Sequence, residues 1–502
     1  MKTSEYQKRM NKVKLSGFVE YKNLTFSMGA TIMVGFIFLI FGYDFIAKTV
    51  SLGMIAVGGL YLLTALYMYL VLRRARREIL TTGDIGETTR RMGWPMTFFI
   101  FLTNFFGTIG GLSLVGRKKC IEFQLCIFML VNTMMVMLVS ALNIFKPQIP
   151  RNFWLGMGLL ALVEVFYIVV TVMVVKYTDE KNIDPRLKVL LIPLVITTLT
   201  GNFFALILAV TMFKRLYQKN KEISIEWIEI MRRLFRNYMA VIGLLVVIFL
   251  LSISICSYLT FDYAVSVENN YEALFQSPSL AYPFGTDNFG RCVFSRIVFG
   301  ARISLVVGMT AIAIPLVLGG LLGALAGYYA KVVDNVIMRV LDVFYAIPSI
   351  LLAIAIIAAF GASTATLVMA ISVYNIPVFA RLVRATVLSV SHSEYIEAAR
   401  ACGATNPIII FKHIIPNSLA PVIVRATLEI GIAVLSTSSL SYLGIGIPSH
   451  IPEWGNILRA GSSYLEGYPY MAIFPGLAII LIVLAFNFFG DGLRDALDPK
   501  MK

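Results

Sequence analysis

Twelve runs along this chain are apolar enough, or nearly long enough, to cross a bilayer, so it cannot fold around one water-shielded core. A hydrocarbon layer of roughly 30 Å takes about 20 apolar residues as a helix. The runs fall at 25–43, 50–72, 96–115, 121–145, 153–176 and 190–213, then at 238–260, 303–327, 343–361, 364–388, 418–441 and 472–490. Apolar residues make up 58% of the chain and charged residues 14%, with a mean hydropathy of +0.81. The expected fold is all-α, a polytopic membrane protein of about 12 transmembrane helices. The run 96–115 is short and rich in Gly and Asn. If it is re-entrant, where protein must surround its irregular backbone, 11 spans remain.

The net charge of +15 does not point to nucleic acid, because the basic residues cluster in short groups beside the runs. That is the positive-inside pattern, which reports orientation. With the N-terminus inside and six N-terminal runs crossing, most Lys and Arg before residue 238 fall on the inner side. Among these are Arg73, Arg74, Lys146, Arg151, Lys214 and Arg215. The same scheme leaves Arg117, Lys118 and Lys119 outside, against the rule. The opening MKTSEYQKRMNKVK precedes an apolar run with no convincing small-residue cleavage site, so that run is expected to stay as a first span. The five cysteines (Cys120, Cys126, Cys256, Cys292 and Cys402) are scattered and lack a CxxC pair, so neither a disulfide framework nor a metal site is expected.

Three regions are expected. Residues 1–213 form an N-terminal membrane extension of about six helices. Within 214–237, Ile223, Trp227, Ile230, Met231 and Leu234 fall at helical spacing, which predicts an amphipathic helix in the cytoplasmic interface. Residues 238–502 carry six further runs. No internal repeat joins the two halves, which counts against a transporter of two similar six-span bundles. Glu164 lies mid-run in LLALVEVFYIVV. An intramembrane carboxylate is a functional candidate, and a hydrogen bond to a neighbouring helix is the simpler alternative.

Between the fourth and fifth of those later runs stands EYIEAARACGATNPIIIFKHIIPNS, residues 394–418. With 214–237 inside, this segment is inside too, and Arg381, Arg384 and Lys412 agree. It reads as helix, break, helix. Ser393 is placed to cap the first helix, with Ile396 and Ala399 on one face. Gly403 permits the positive φ of a C-cap. Asn406-Pro407 begins a second short helix, and Pro416-Asn417 ends it and starts the next span. Such a pair of short helices suits docking into another protein, and equally suits a solvated connection.

Glu397-Ala398-Ala399, then Gly403, then Ile415-Pro416 resemble the EAA motif of the membrane subunits of binding-protein-dependent ABC importers. His413 followed by Pro416-Asn417 is similar to the dipeptide, oligopeptide and nickel branch. The resemblance covers about residues 236–502. It includes FGTDNFGRCVFSRIVFGARISL (284–305), AGYYAKVVDNVIMRVLDVFYAIPSILLAIA (326–355), IPVFARLVRATVLSV (376–390), SYLGIGIPSHIPEWGNIL (441–458) and FPGLAIILIVLAFNFFGDGLRDALDPK (474–500).

The resemblance implies a six-helix type I ABC importer permease core over 238–502. Its cytoplasmic coupling loop is 391–417, in which Glu397, Ala398, Ala399, Gly403, Ala404, Pro407, His413, Pro416 and Asn417 face a separate ATPase. It also implies ATP and Mg bound by two ATPase subunits and no cofactor in this chain. The other implied partners are a second, different permease, an extracellular or periplasmic substrate-binding protein, and membrane lipid. The implied location is a bacterial or archaeal cytoplasmic membrane, with both termini cytoplasmic. The implied cargo is di- and oligopeptides, or alternatively nickel or another small solute. Gly285, Thr286, Asp287, Arg291, Trp454 and Gly455 would lie on the binding-protein side, where a structural turn is the alternative for the first four.

Cys292 stands where the family often has Asp, and Thr437 where it often has Glu. Candidates for the translocation path are therefore Arg425, Glu429, Ser436, Thr437, Ser438 and Ser439. Arg425 and Glu429 are spaced to pair on one helix face, which could line a path or be merely structural. No GxxxxGK[ST], HExxH or nucleophile–base constellation occurs, and His392, His413 and His450 are dispersed. The chain is thus expected to move a solute without catalysing a reaction. An ion-coupled secondary transporter of 12 helices is the rival from another class.

Overall fold

The computed structural model describes residues 18–41, 43–44, 49–50, 52–102, 104–115, 120–147, 149–178, 183–217 and 221–498. The basic arm at 1–17 and Arg117–Lys119 lie outside the described residues, as does the side chain of Ile223. The chain divides into two compact units, the first from residues up to 139 with 159–228, the second from 140–158 with 229–502. Among the described residues, eight helices are long and apolar enough to cross a membrane, or nine if one bent pair counts as a span.

The first unit opens with α1 (Val19–Phe41) and α2 (Leu52–Thr82), joined through the short antiparallel strands β1 (Tyr43–Asp44) and β2 (Thr49–Val50). The next apolar run does not cross. It descends through Gly93–Thr97 and a 3₁₀ stretch to Leu102, turns at Asn104, and returns as Phe105–Val115. Its two limbs touch where the segment starts and ends. A side chain at Gly93 would come within 2.8 Å of the Gly111 carbonyl and 3.2 Å of Leu114 Cβ. The small residues of this run let the limbs close.

After α3 (Ile121–Ala141) and α4 (Phe153–Tyr177), the run expected to span at 190–213 also doubles back. Pro185–Leu190 and Leu191–Thr197 lead in, Gly201 turns the chain at φ +81, and Phe203–Tyr217 leads out. Lys188, on the way in, has its Nζ 4.7 Å from the centre of the Tyr217 ring at the way out. Both expected spans are therefore helical hairpins. Hydropathy measures how apolar a run is and is blind to a turn in its middle.

The two hairpins are alike at their tips. The Asn104 amide donates to Thr64 Oγ1 at 2.8 Å, and its Oδ1 accepts from Gly107 N at 2.9 Å and from the Thr31 hydroxyl at 3.1 Å. Asn202 donates to the Met129 carbonyl at 2.8 Å and to Thr133 Oγ1 at 3.0 Å. Both asparagines are buried, and both hold the helix that opens their half of the unit. The sequence repeats in step, LTNFF at 102–106 against LTGNFF at 199–204, and Glu20 precedes Thr31 by the same interval as Glu122 precedes Thr133. Each of these glutamates meets an arginine, Arg90 at 3.9 Å and Arg215 at 2.6 Å respectively. The unit is one plan used twice: helix, helix, hairpin.

In the second unit, residues 140–158 brace the end of α6 (Tyr238–Thr260) far from Asn237; α6 follows the amphipathic α5 (Lys221–Arg236). Ser140 Oγ donates to Thr260 Oγ1 at 3.1 Å and the Asn143 amide to the Thr260 carbonyl at 2.9 Å. Lys146, buried over the Phe261 ring, donates to Ser295 at 2.6 Å. Lys146 and Arg151 therefore share a face with the loop 261–301. This corrects the expectation that they oppose it. The cause is the hairpins, since two runs that do not cross shift the side of the loops between them.

The rest of the unit is α7 (Val293–Tyr329), α8 (Lys331–Tyr345), α9 (Ser349–Phe360), α10 (Thr364–Ser391), α11 (Glu394–Ala401), α12 (Ile415–Leu443), α13 (Trp454–Ser462) and α14 (Tyr470–Leu497). α8 and α9 meet at a bend of 85° just before Pro348. α7 lies against α10 through Gly319, Gly323 and Gly327, one glycine per turn. A Cβ at Gly319 would fall 2.6 Å from the Ile376 carbonyl, and one at Gly327 2.9 Å from that of Arg384. Only a row without side chains lets the backbones approach so closely.

Candidate coupling and translocation site

α10 ends at Ser391, and the chain turns at once into α11. Ser393 occupies the N-cap position with extended backbone, but its side chain makes no capping bond. Ile396 is fully buried in the cluster that also holds Val387, Ile409 and Ile414. The opposite side of α11 exposes Glu394, Tyr395, Glu397, Ala398 and Ala401. α11 is thus tethered behind and open in front.

Gly403 sits at φ +82, and the amides of Gly403 and Ala404 return to the carbonyls of Arg400 and Ala399 at 3.0 and 3.1 Å. This left-handed stop satisfies carbonyls that the helix end would otherwise leave bare. Ala404 is half-buried and Pro407 exposed, and Tyr328 of α7 donates to Asn406 Oδ1 at 2.7 Å. Beyond it the structure departs from the sequence reading. No helix ends at Pro416-Asn417. Asn406–Ile408 runs through a π-helical stretch, Ile409–Ile414, straight into α12. Pro416 has no N–H to offer the carbonyl four residues back, and a local widening of the helix accommodates such a loss. His413 is half-buried, and Asn417 donates to its carbonyl at 2.6 Å.

Two ion pairs fasten α8 to α10. Arg384 grips Asp334 in a fork at 2.5 and 2.6 Å, and Arg381 reaches Asp342 at 2.6 Å while its guanidinium lies 3.9 Å over the Tyr345 ring. A bidentate fork fixes orientation as well as distance. Any movement of α11 is therefore carried by an α10 already bound to α7 and α8.

Of the path candidates, Arg425 and Glu429 pair with each other on α12, Arg425 about half exposed and Glu429 buried. Ser436 is half-buried and Ser439 exposed, its hydroxyl turned to the Leu435 carbonyl at 2.8 Å. Thr437 and Ser438 are buried. Thr437 Oγ1 has no hydrogen-bond partner among the described residues, as is true of the buried Glu164 Oε2 in α4. Ser438 leads to a residue that sequence reasoning missed, Glu453. This fully buried carboxylate accepts from Ser438 at 2.9 Å, from Ser304 of α7 at 3.3 Å and from Asn456 N at 3.1 Å. It caps α13 and ties three helices together. The only signal in the sequence is an acidic residue directly before Trp454 in a stretch that otherwise carries no carboxylate, lysine or arginine.

Gly285, Thr286, Asp287 and Arg291 form the inside of a loop rather than its surface. All four are buried. Asp287 accepts from Arg291 Nε at 2.8 Å and from the amides of Phe289 and Arg291 at 2.9 Å, with Arg296 a further 3.9 Å away. Thr286 accepts from Gln276 N at 2.8 Å and donates to the Ala273 carbonyl. Trp454 is also fully buried, donating to the Ile297 carbonyl at 2.9 Å, and Gly455 lies against the backbone of Ser438. The exposed surface here falls instead to neighbours such as Tyr271, Leu280 and Leu465.

Residues 319–502 match the family described as binding-protein-dependent transport system inner membrane component, and 226–278 match the N-terminal TM domain of oligopeptide transport permease C. The chain is 46% identical over 276 residues to a dipeptide transport system permease protein of Alkalihalophilus pseudofirmus, which covers 55% of this chain and 90% of that protein. It is 43% identical over 284 residues to a glutathione transport system permease protein of Pectobacterium atrosepticum, covering 57% and 94%. The glutathione transport system permease protein of Escherichia coli O157:H7 has the same identity and coverage.

Proposed function

The chain belongs to the binding-protein-dependent transport system inner membrane components, and from that premise we propose how its parts divide the work. It is a membrane-spanning permease subunit of an ATP-binding-cassette importer, not an enzyme, and it works with ATPase subunits and a substrate-binding protein. The segment from Glu394 to Asn417 is the surface that an ATPase holds. The observation that carries this is the asymmetry of α11, with Ile396 locked in the core and Glu394, Glu397 and Ala398 offered to a partner. ATP and Mg are bound by the ATPases. Their closure pushes α11 and tilts α10 with the helices fastened to it, switching access from one side to the other.

A second, different permease completes the path, and the half-exposed Arg425 of α12 faces toward it or the solute. The cargo is di- and oligopeptides, in keeping with the names of the dipeptide and glutathione relatives. The coupling side is cytoplasmic, with both termini. Residues 1–213 serve as an accessory membrane bundle for assembly or partner docking. Glu397→Arg, on an exposed position, should leave the fold intact and cut uptake by about tenfold or more. Gly403→Pro should release or uncouple the ATPases, because proline cannot adopt φ +82. Normal uptake by either variant with its ATPases bound would sink the coupling assignment.

A further inference from the structure

At the Thr260 end of α6 lies a cavity of about 560 Å³, lined among others by Arg151, Tyr258, Asp262, Tyr263 and Arg302. Arg302, half-buried on α7, lies 3.3 Å over the Tyr258 ring and donates to Ser257 Oγ at 2.9 Å and to the Ser254 carbonyl at 3.3 Å. Its buried Nε has no partner among the described residues. Among the described residues, neither Arg302 nor the exposed Arg151 pairs with a carboxylate. Asp262, the one acid in the lining, accepts from Ala264 N at 2.9 Å and pairs with neither arginine among the described residues.

The half-buried Arg302 guanidinium, walled by aromatic rings and unpaired at Nε among the described residues, gains from an anion that joins it, and the exposed Arg151 on the same cavity adds a second positive charge. The level in the membrane says which source supplies it. Trp154, Tyr258 and Tyr263 stand 67%, 67% and 47% exposed around this end of the helices. Amphipathic rings gather at the depth of lipid headgroups. A guanidinium fork matches phosphate oxygens in shape and charge.

We propose that this cavity holds the phosphate headgroup of an anionic membrane lipid, a site apart from the coupling surface and independent of the cargo. Arg302 contributes the fixed charge and Arg151 closes over it from the 140–158 segment.

The test uses the full transporter complex, exchanged into bilayer discs of phosphatidylcholine with or without phosphatidylglycerol, and counts lipid retained on gentle extraction by native mass spectrometry. The unaltered complex should retain phosphatidylglycerol in preference. Arg151→Gln and Arg302→Lys should each weaken retention, and the double change Arg151→Gln with Arg302→Gln should weaken it about tenfold or more. Arg186→Gln, elsewhere on the surface, should change nothing. Undiminished retention in the double variant overturns the proposal. If that variant does not assemble, undiminished retention in Arg151→Gln alone does so. Displacement of the lipid by inorganic phosphate at equal concentration also overturns it, since a soluble anion would then be the occupant.

Discussion

In the first unit the polar side chains that shape the packing sit in the middle of apolar runs, on the tips of two hairpins. In the second several sit at helix ends and inside loops, Asp334 with Arg384, Asp287 with Arg291 and Glu453 with its two serines, while Arg425 and Glu429 pair inside α12. The first unit repeats one small plan, whereas the second uses long single helices that differ in length, bend and partners. The contrast shows two ways of fixing helices in lipid, where burial of apolar surface does not hold them together. One uses a neutral amide at depth. The other uses close-packed glycines along the helices and charge pairs near their ends.

The hairpins can be broken experimentally in an all-or-none way. If they do not cross, Ile149→Cys and Gln276→Cys should react with a membrane-impermeant thiol reagent from one side, and the exposed native Cys402 from the other. Labelling of Ile149→Cys from the Cys402 side would restore crossing segments. A smaller but still severe effect is expected from Gly323→Leu, which places a side chain against the Ala380 backbone. Separation of α7 from α10 should cost well over about 3 kcal/mol and prevent recovery of a folded complex. Wild-type yield and thermal stability in that variant would show the glycine row to be incidental.

The finest test compares the two hairpin tips. Asn104→Ala removes hydrogen bonds to Thr64, Thr31 and Gly107 and should cost roughly 1–2 kcal/mol. Asn202→Ala loses two, and Asn202 Oδ1 has no partner among the described residues, so its cost should be about 1 kcal/mol or less. Equal or reversed losses, measured as shifts in unfolding midpoint, would mean that the hydrogen bonds at the tips do not set what each tip contributes.

Much of the second unit was legible because its signals are local. Gly403 stops a helix by its own backbone, and the motifs around it lie at helix ends where few residues decide the conformation. The hairpins were hidden for the opposite reason, since hydropathy sums over a run and the turn depends on one asparagine meeting threonines elsewhere in the chain. The repeat LTNFF and LTGNFF was visible, but only to a comparison within residues 1–213, not between the two halves. Asp287 and Arg291 look like solvated loop charges in sequence, and only the fold shows that each is buried to satisfy the other. Pro416 reads as a stop in sequence, but the π-helical stretch before it absorbs one residue's missing N–H.

The segment 140–158 has a consequence for how the chain is made. A ribosome delivers residues in order, so Ser140 precedes its partner Thr260 by 120 positions and Lys146 precedes Ser295 by 149. When α6 and then α7 leave the insertion machinery, their docking site is already synthesised and waiting. Residues 140–158 can thus act in biogenesis as a scaffold that captures the later spans in register. A transporter expressed as two separate fragments would have to find that register by collision.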